Sequence, residues 1–186
     1  MKEDVMYISR RFETNICATI HLKALQELYK ENLYIVDLRT EGIKKISDRR
    51  INLGVMSKKE KVLRTLELNT WYLTNERINT ICNIIERKNI KNIFIDEAAF
   101  GKVVRKIKKK FPEVVVVTFY HDIGKILYSQ WLKNKGIKYL PDYIGSMYGE
   151  KLNQKYSDCN LVLNQRDYKV FEKVYHKKQS EAESRL

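Results

Sequence analysis

The chain has 186 residues and carries 36 Lys and Arg against 23 Asp and Glu, a formal net charge of +13 at pH 7. That length suits one ordinary domain around a single core, and 44% hydrophobic residues exclude a disordered basic tail. No apolar run approaches the ~18 residues of a membrane span. The opening sequence MKEDVMYISR lacks the apolar stretch of a secretory signal, so a cytoplasmic location is expected.

In chain order, residues 4–9 (DVMYIS) read as a short buried strand. A helix follows, with Ile16, Ile20, Leu22, Leu25, Leu28 and Tyr29 at spacings of three and four, and Thr14 or Asn15 is placed to cap it. Residues 33–38 (LYIVDL) are a second strand, and 51–55 a weaker third. Two helices are expected between residues 57 and 88. The first carries Val62, Leu63 and Leu66 among Lys58, Lys59, Lys61 and Arg64. The second carries Ile78, Ile81, Cys82 and Ile85 on one face and is capped near Thr74 or Asn75. Residues 92–96 (NIFID) give another strand, and Val103, Val104, Ile107 and Phe111 mark a helix that Pro112 ends.

The run 114–120 (VVVVTFY) is apolar on both faces, as a central parallel strand under helices must be. An aromatic-rich helical stretch runs from Tyr128 to Tyr156 with breaks near Gly136 and Pro141. A last strand at 159–163 and a helix through Tyr168, Phe171 and Tyr175 complete a domain spanning residues 1–176. Residues 177–186 form a polar tail, expected to fray. Strands alternating with helices argue for an α/β, Rossmann-like parallel sheet with helices on both faces. Ligands of such sheets bind where the loops leave the carboxyl ends of the strands.

Four loops therefore matter: 9–15, 37–40, 96–100 and 120–124. The first has no glycine, which argues against a dinucleotide cofactor, since bare backbone must approach a pyrophosphate. Arg10 and Arg11, ahead of a helix N-terminus, suit a phosphate, and a solvated surface pair is the competing reading. His121 and Asp122 end the central strand, where an imidazole exchanges protons near neutral pH. Asp96 and Glu97 end the neighbouring strand and face the same crevice, although Asp96 equally suits a helix N-cap.

Cys17, Cys82 and Cys159 form no C-x-x-C pair, and His21, His121 and His176 complete no zinc spacing. Three buried, reduced thiols are expected, with no metal and no cofactor. A basic cluster, Lys102, Arg105, Lys106, Lys108, Lys109 and Lys110, reads as a solvated face or a surface for anionic membrane. No nucleic-acid motif accompanies it, so specific nucleic-acid binding is not expected. Lys58 to Trp71 reads as a core-facing helix first and as an interfacial one, with Trp71 and Tyr72 at headgroup depth, second.

Residues 95–123, IDEAAFGKVVRKIKKKFPEVVVVTFYHDI, resemble the N-terminal domain of bacterial GT-B glycosyltransferases, in particular family 4 enzymes of capsular and surface polysaccharide synthesis. The likeness continues in Glu150, Tyr156, Ser157, Asp158, Leu163, Asn164, Arg166, Asp167 and Tyr175, similar to an E…YSD…LNxRD…Y signature. It covers roughly residues 90–176. Gly124 stands where the family often has Glu, and no two glutamates here lie eight positions apart, as the family's retaining donor domain would have them.

The resemblance implies one half of a GT-B fold, the acceptor side, with the donor-binding domain absent from this chain. It implies His121 and Asp122 beside the transferred sugar, Asp96 and Glu97 lining the acceptor side, and Arg10, Arg11 and Asn15 toward the donor phosphates. Partners would be a sugar nucleotide, a saccharide or lipid-linked acceptor, a donor-domain partner chain or a second copy, and the inner face of the plasma membrane. A non-catalytic adaptor of the same fold, binding a partner glycosyltransferase or the membrane, is the alternative.

Overall fold

The computed structural model describes residues 3–10, 16–38, 49–70 and 72–175. Among the described residues, strands β1 (Val5–Ser9), β2 (Leu33–Asp37), β3 (Arg50–Asn52), β4 (Asn92–Ile95), β5 (Val115–Tyr120) and β6 (Cys159–Val162) form one sheet. Its order is β3-β2-β1-β4-β5-β6. Every pairing is parallel, with Val5 opposite Leu33 on one side and Asn92 on the other, and Tyr120 opposite Val162 at the far edge. Parallel neighbours require crossovers. These carry helices α1 (Ile16–Tyr29), α2 (Lys58–Leu66), α3 (Asn75–Lys88), α4 (Gly101–Lys110), α5 (Gly124–Lys135) and α6 (Leu140–Tyr156), and α7 (Gln165–Tyr175) follows β6. The chain is an α/β protein with a Rossmann-like sheet.

All residues of β1 and β2 are buried, so both strands read as continuous apolar runs. The pleat decides which helix each residue meets. Met6, Ile8, Val36, Ile93, Ile95 and Val116 pack with the apolar stripes of α3 and α4. Val5, Tyr7, Leu33 and Ile35 turn the other way, onto Leu22, Leu25 and Tyr29 of α1. Helices thus cover both faces, and full burial of each such side chain contributes ~1.5–3 kcal/mol. The crossover after β1 lies on one face and the crossover after β4 on the other, so a crevice opens at the carboxyl ends of these neighbours.

Several expectations shift. The third strand is Arg50–Asn52, because its register is set by pairing Arg50 to Asn52 with Ile35 to Asp37, not by the apolar Leu53 and Val55 downstream. Arg50 Nη2 fixes that edge on Asp37 Oδ2 at 2.9 Å. Pro141 does not break the last long helix but opens it, since proline fits a first turn whose N–H has no partner to lose. Gly136 does separate α5 from α6, at φ 89°. Thr74 caps α3, its side chain accepting Arg77 N–H; Thr14 and Asn15 lie outside the described residues.

Helix α2 is not core-facing. None of its residues is buried, and Val62 and Leu66 are 60% and 74% exposed. Tyr72 packs on the main core; Trp71 lies outside the described residues. None of the three cysteines forms a disulfide, but only Cys82 is buried, and burial pushes its thiol pKa up. Among the described residues no helix is long and apolar enough to cross a membrane. Residues 177–186 lie outside the described residues.

Two glycines set the packing around the crevice. A Cβ on Gly101 would sit 1.8 Å from Gly149 O, and one on Gly149 would sit 2.4 Å from Ala99 O. Helices α4 and α6 therefore approach backbone to backbone, which no other residue type permits.

Candidate functional site

By the pleat, Tyr7, Asp96 and His121 all project toward the α1 face: Tyr7 from within β1, the other two from the residues just past β4 and β5. Asp96 N–H still donates to Ile8 O at 2.9 Å, which holds the backbone in the ladder and fixes the direction of the side chain. Helix α1 closes the group from above with His21. The result is a carboxylate ringed by three polar side chains. Tyr7 OH donates to Asp96 Oδ2 and also reaches Ala18 O at 3.1 Å. His21 Nδ1 lies 3.2 Å and His121 Nε2 2.8 Å from Asp96 Oδ1.

Asp96 is fully buried, yet it titrates low. Burial would raise its pKa, but the contacts with His121, His21 and Tyr7 outweigh that cost and hold it at about 2. The same carboxylate, added to burial, drives the Tyr7 hydroxyl pKa far up. His21 is held edge-on to Phe119, with ring centroids 4.4 Å apart, and stacks toward His121 at 6.0 Å. The carboxylate that orients His121 is thus Asp96, and the adjacent Asp122 is exposed. Asp96 caps neither of the helical elements that follow β4, where Glu97 and Phe100 hold the N-cap positions.

Arg10 is no solvated surface residue. Its Nε meets Glu97 Oε2 at 2.5 Å, with the two side chains only 10% and 11% exposed. The pair ties the end of β1 to the end of β4 across the crevice. Arg11 and Asn15 lie outside the described residues. Glu97, His121, Asp122, Gly124 and Glu150 line a narrow cleft of ≈ 10 Å³, room for about one water.

Helix α5 opens at this cleft with Ile123 at its N-cap, a side chain that cannot satisfy the free amides. Glu150 does so from α6: Oε1 accepts Gly124 N–H at 2.5 Å and Oε2 accepts Lys125 N–H at 3.1 Å, while Tyr175 OH donates to Oε2. Burial pushes the Glu150 pKa up to about 7, although these hydrogen bonds oppose the shift. Gly124 has no room for the glutamate of the family pattern, because even its Cβ would lie 2.2 Å from Ser146 Oγ and 2.8 Å from Glu150 Oε1.

Ser157, Asp158 and Asn164 of the E…YSD…LNxRD…Y pattern also have framework partners, whereas Leu163 and Arg166 are exposed. Asp158 accepts Lys108 Nζ at 3.0 Å and Val116 N–H at 2.8 Å. Ser157 Oγ is 2.8 Å from Thr118 Oγ1. Asn164 Oδ1 accepts Asp167 N–H at 3.0 Å, ahead of α7. The pattern locks α6, β6 and α7 onto β5.

The basic cluster divides. Lys108 is bound to Asp158 and Lys110 to Glu86. Lys102, Arg105, Lys106 and Lys109 line a groove of ≈ 480 Å³ with Asn75, Ile78, Asn79 and Tyr148. Lys102 Nζ donates to Glu67 O, and desolvation lowers its pKa.

Scanned against protein-family models the chain matches none, and no curated protein matches it significantly.

Of the candidates named from sequence, Asp96 and His121 come into contact, and Glu97 and Asp122 join His121 at the cleft. His21 was not among them. Its signal is the inward stripe Ala18, His21, Leu22, Leu25 and Tyr29, spaced as one helical face. The outward Ile16, Ile20 and Leu28, all more than half exposed, obscure that stripe.

Proposed function

We propose that this chain is the acceptor-side domain of a sugar-nucleotide-dependent glycosyltransferase of GT-B type, acting in surface polysaccharide or glycoconjugate synthesis. The observation that supports this most is His121 at the carboxyl end of β5, held by buried Asp96 at the end of β4. An oriented imidazole at the crevice of a parallel sheet suits proton removal from an acceptor hydroxyl. With Nε2 turned to Asp96, Nδ1 is the ring atom that takes the proton. The bond from the sugar C1 to the nucleotide phosphate breaks, and the acceptor oxygen bonds to C1. The leaving phosphate keeps the electron pair, and fixed polar groups meet the charge of the transition state.

In this reading Asp96 is a positioning residue, and Glu97 and Asp122 face the acceptor. Arg10, held by Glu97 through Nε, is the described residue that would approach a donor phosphate. The donor-binding half of the cleft comes from outside these 186 residues. The chain alone therefore turns over weakly or not at all.

One observation favours the non-catalytic adaptor instead: the cleft beside His121 holds about one water, whereas the cationic groove along α4 is far larger. Sugar transfer by membranes from the source cells, with and without this chain and then with His121→Ala, separates the two. Transfer that needs the chain and falls with the substitution supports the enzyme. Transfer indifferent to the chain removes that reading and leaves the adaptor.

A further inference from the structure

We propose that His21, Asp96 and His121 bind one divalent transition-metal cation of the zinc class, leaving a coordination position open to water or a substrate oxygen. The donor set is two imidazole nitrogens and one carboxylate oxygen, the combination that suits zinc and its neighbours and, with three protein ligands, leaves a site unsaturated. The spacing fits as well. One ligand atom from each of His21, Asp96 and His121 lies within 4.8 Å of the others. In a tetrahedral site with metal–ligand distances of ~2.1 Å, ligand atoms are separated by about 3.4 Å. Two of the three separations here are 3.2 and 2.8 Å, so small outward movements make room for the ion.

A second observation points to the cation independently. The His121 side chain is 8% exposed, and its Nε2 is buried with no aligned hydrogen bond despite lying beside Asp96 Oδ1. A lone pair on Nε2 at that position serves a shared ion. The surrounding shell is that of a metal site. Tyr7 OH donates to the second carboxylate oxygen and so directs Oδ1 toward the imidazoles. Phe94 and Phe119 fix the His21 ring and keep the surroundings apolar. The His21 side chain, 24% exposed, is the solvent side of the cluster.

The inference stands apart from glycosyl transfer, since its readout is the metal alone; with an ion on Nε2 the ring proton sits on Nδ1, so His121 then holds the metal and does not act as a base. Chelator-treated chain is titrated with Zn²⁺ by calorimetry, and Co²⁺ serves as the spectroscopic probe. The expected result is one ion per chain, Co²⁺ ligand-field bands of a four- or five-coordinate nitrogen and oxygen site, and a melting temperature raised by Zn²⁺. His21→Ala and His121→Ala each weaken binding more than about a hundredfold, and Tyr7→Phe about 10–100-fold, as loss of an orienting partner does. His21→Gln repeats the test should the alanine variants fail to fold. Cys17→Ser, one helical turn before His21, leaves binding unchanged. Absence of the ligand-field bands in the unsubstituted chain, thiolate charge-transfer bands in their place, or affinity indifferent to His21→Gln and His121→Ala overturns the proposal.

Discussion

Glu150 on α6 accepts the amide of Gly124, 26 residues earlier in the chain, at 2.5 Å. A carboxylate from one helix thus caps another, at the mouth of the cleft that His121 lines. The arrangement is costly because Glu150 is fully buried, facing Glu97 and the hydroxyls of Tyr120 and Tyr175.

That cost predicts a pH dependence with a definite sign. Burial raises the Glu150 pKa from 4.5 to about 7 on folding. The stability gained by the protonated form is therefore full below the unfolded value and is lost as pH rises through about 7. The shift corresponds to about 3 kcal/mol. Glu150→Gln keeps the shape and removes the titration. Urea unfolding from about pH 5 to pH 8 is expected to show the unsubstituted chain losing stability relative to the variant as pH rises. A constant difference across that range contradicts the assignment.

The contact of α4 with α6 predicts intolerance at Gly149. A Cβ there meets Ala99 O at 2.4 Å and Ala99 C at 2.9 Å, both backbone atoms that cannot swing aside. Gly149→Ala should cost about 3 kcal/mol or prevent folding, at the upper end of what overpacking does. Gly54→Ala is the comparison. Its Cβ meets nothing within 4 Å and only the backbone angle, φ 72°, opposes it. Thermal melts that rank Gly54→Ala as the more damaging would refute this account of the helix contact.

Helix α2 buries none of its residues, so its ends must hold it. Ser57 Oγ accepts Glu60 N–H at 3.2 Å, and Glu60 Oε2 accepts Ser57 N–H at 2.8 Å, a complete capping box. Glu60 Oε1 also receives Arg77 Nε at 2.8 Å, and that bond with the box lowers the Glu60 pKa to about 2. Ser57→Ala is expected to cost about 1 kcal/mol. The Glu60 contribution is present above the unfolded value and fades as pH falls toward about 2, a loss that Glu60→Gln abolishes. Amide exchange across residues 58–66 reads both effects.

How legible all this was in the sequence depends on which force fixes each feature. The strands β1, β2, β4, β5 and β6 are buried or half-buried runs whose own composition announces them. The edge strand β3 takes its bounds from β2, and its Arg50 is anchored by Asp37, information that lies outside the segment itself. His121 and Asp96 were readable because strand ends in a parallel sheet converge. His21 was not, since α1 carries two apolar stripes and only the three-dimensional packing shows that Leu22 and Leu25, not Ile16 and Ile20, face the sheet. The E…YSD…LNxRD…Y pattern was visible, but Glu150, Ser157 and Asp158 find partners far along the chain, so those contacts emerge only on folding, whereas Asn164 meets nearby Asp167.

The Arg10–Glu97 pair carries the last prediction. With both side chains about nine-tenths buried, the pair itself adds little to stability, because desolvation of two charges offsets their attraction. Breaking it is another matter. Arg10→Met takes the cation from beside the Glu97 carboxylate, and Glu97→Leu takes the anion from beside the guanidinium; each is expected to cost about 3–5 kcal/mol. The double variant removes both charges and should recover much of that loss. A double-mutant cycle from urea unfolding measures the coupling directly, and additive single effects would show that the two residues do not act as a pair. Because the pair joins β1 to β4 at the crevice, its coupling also measures how firmly the two strand ends are held together where His121 and Asp96 meet.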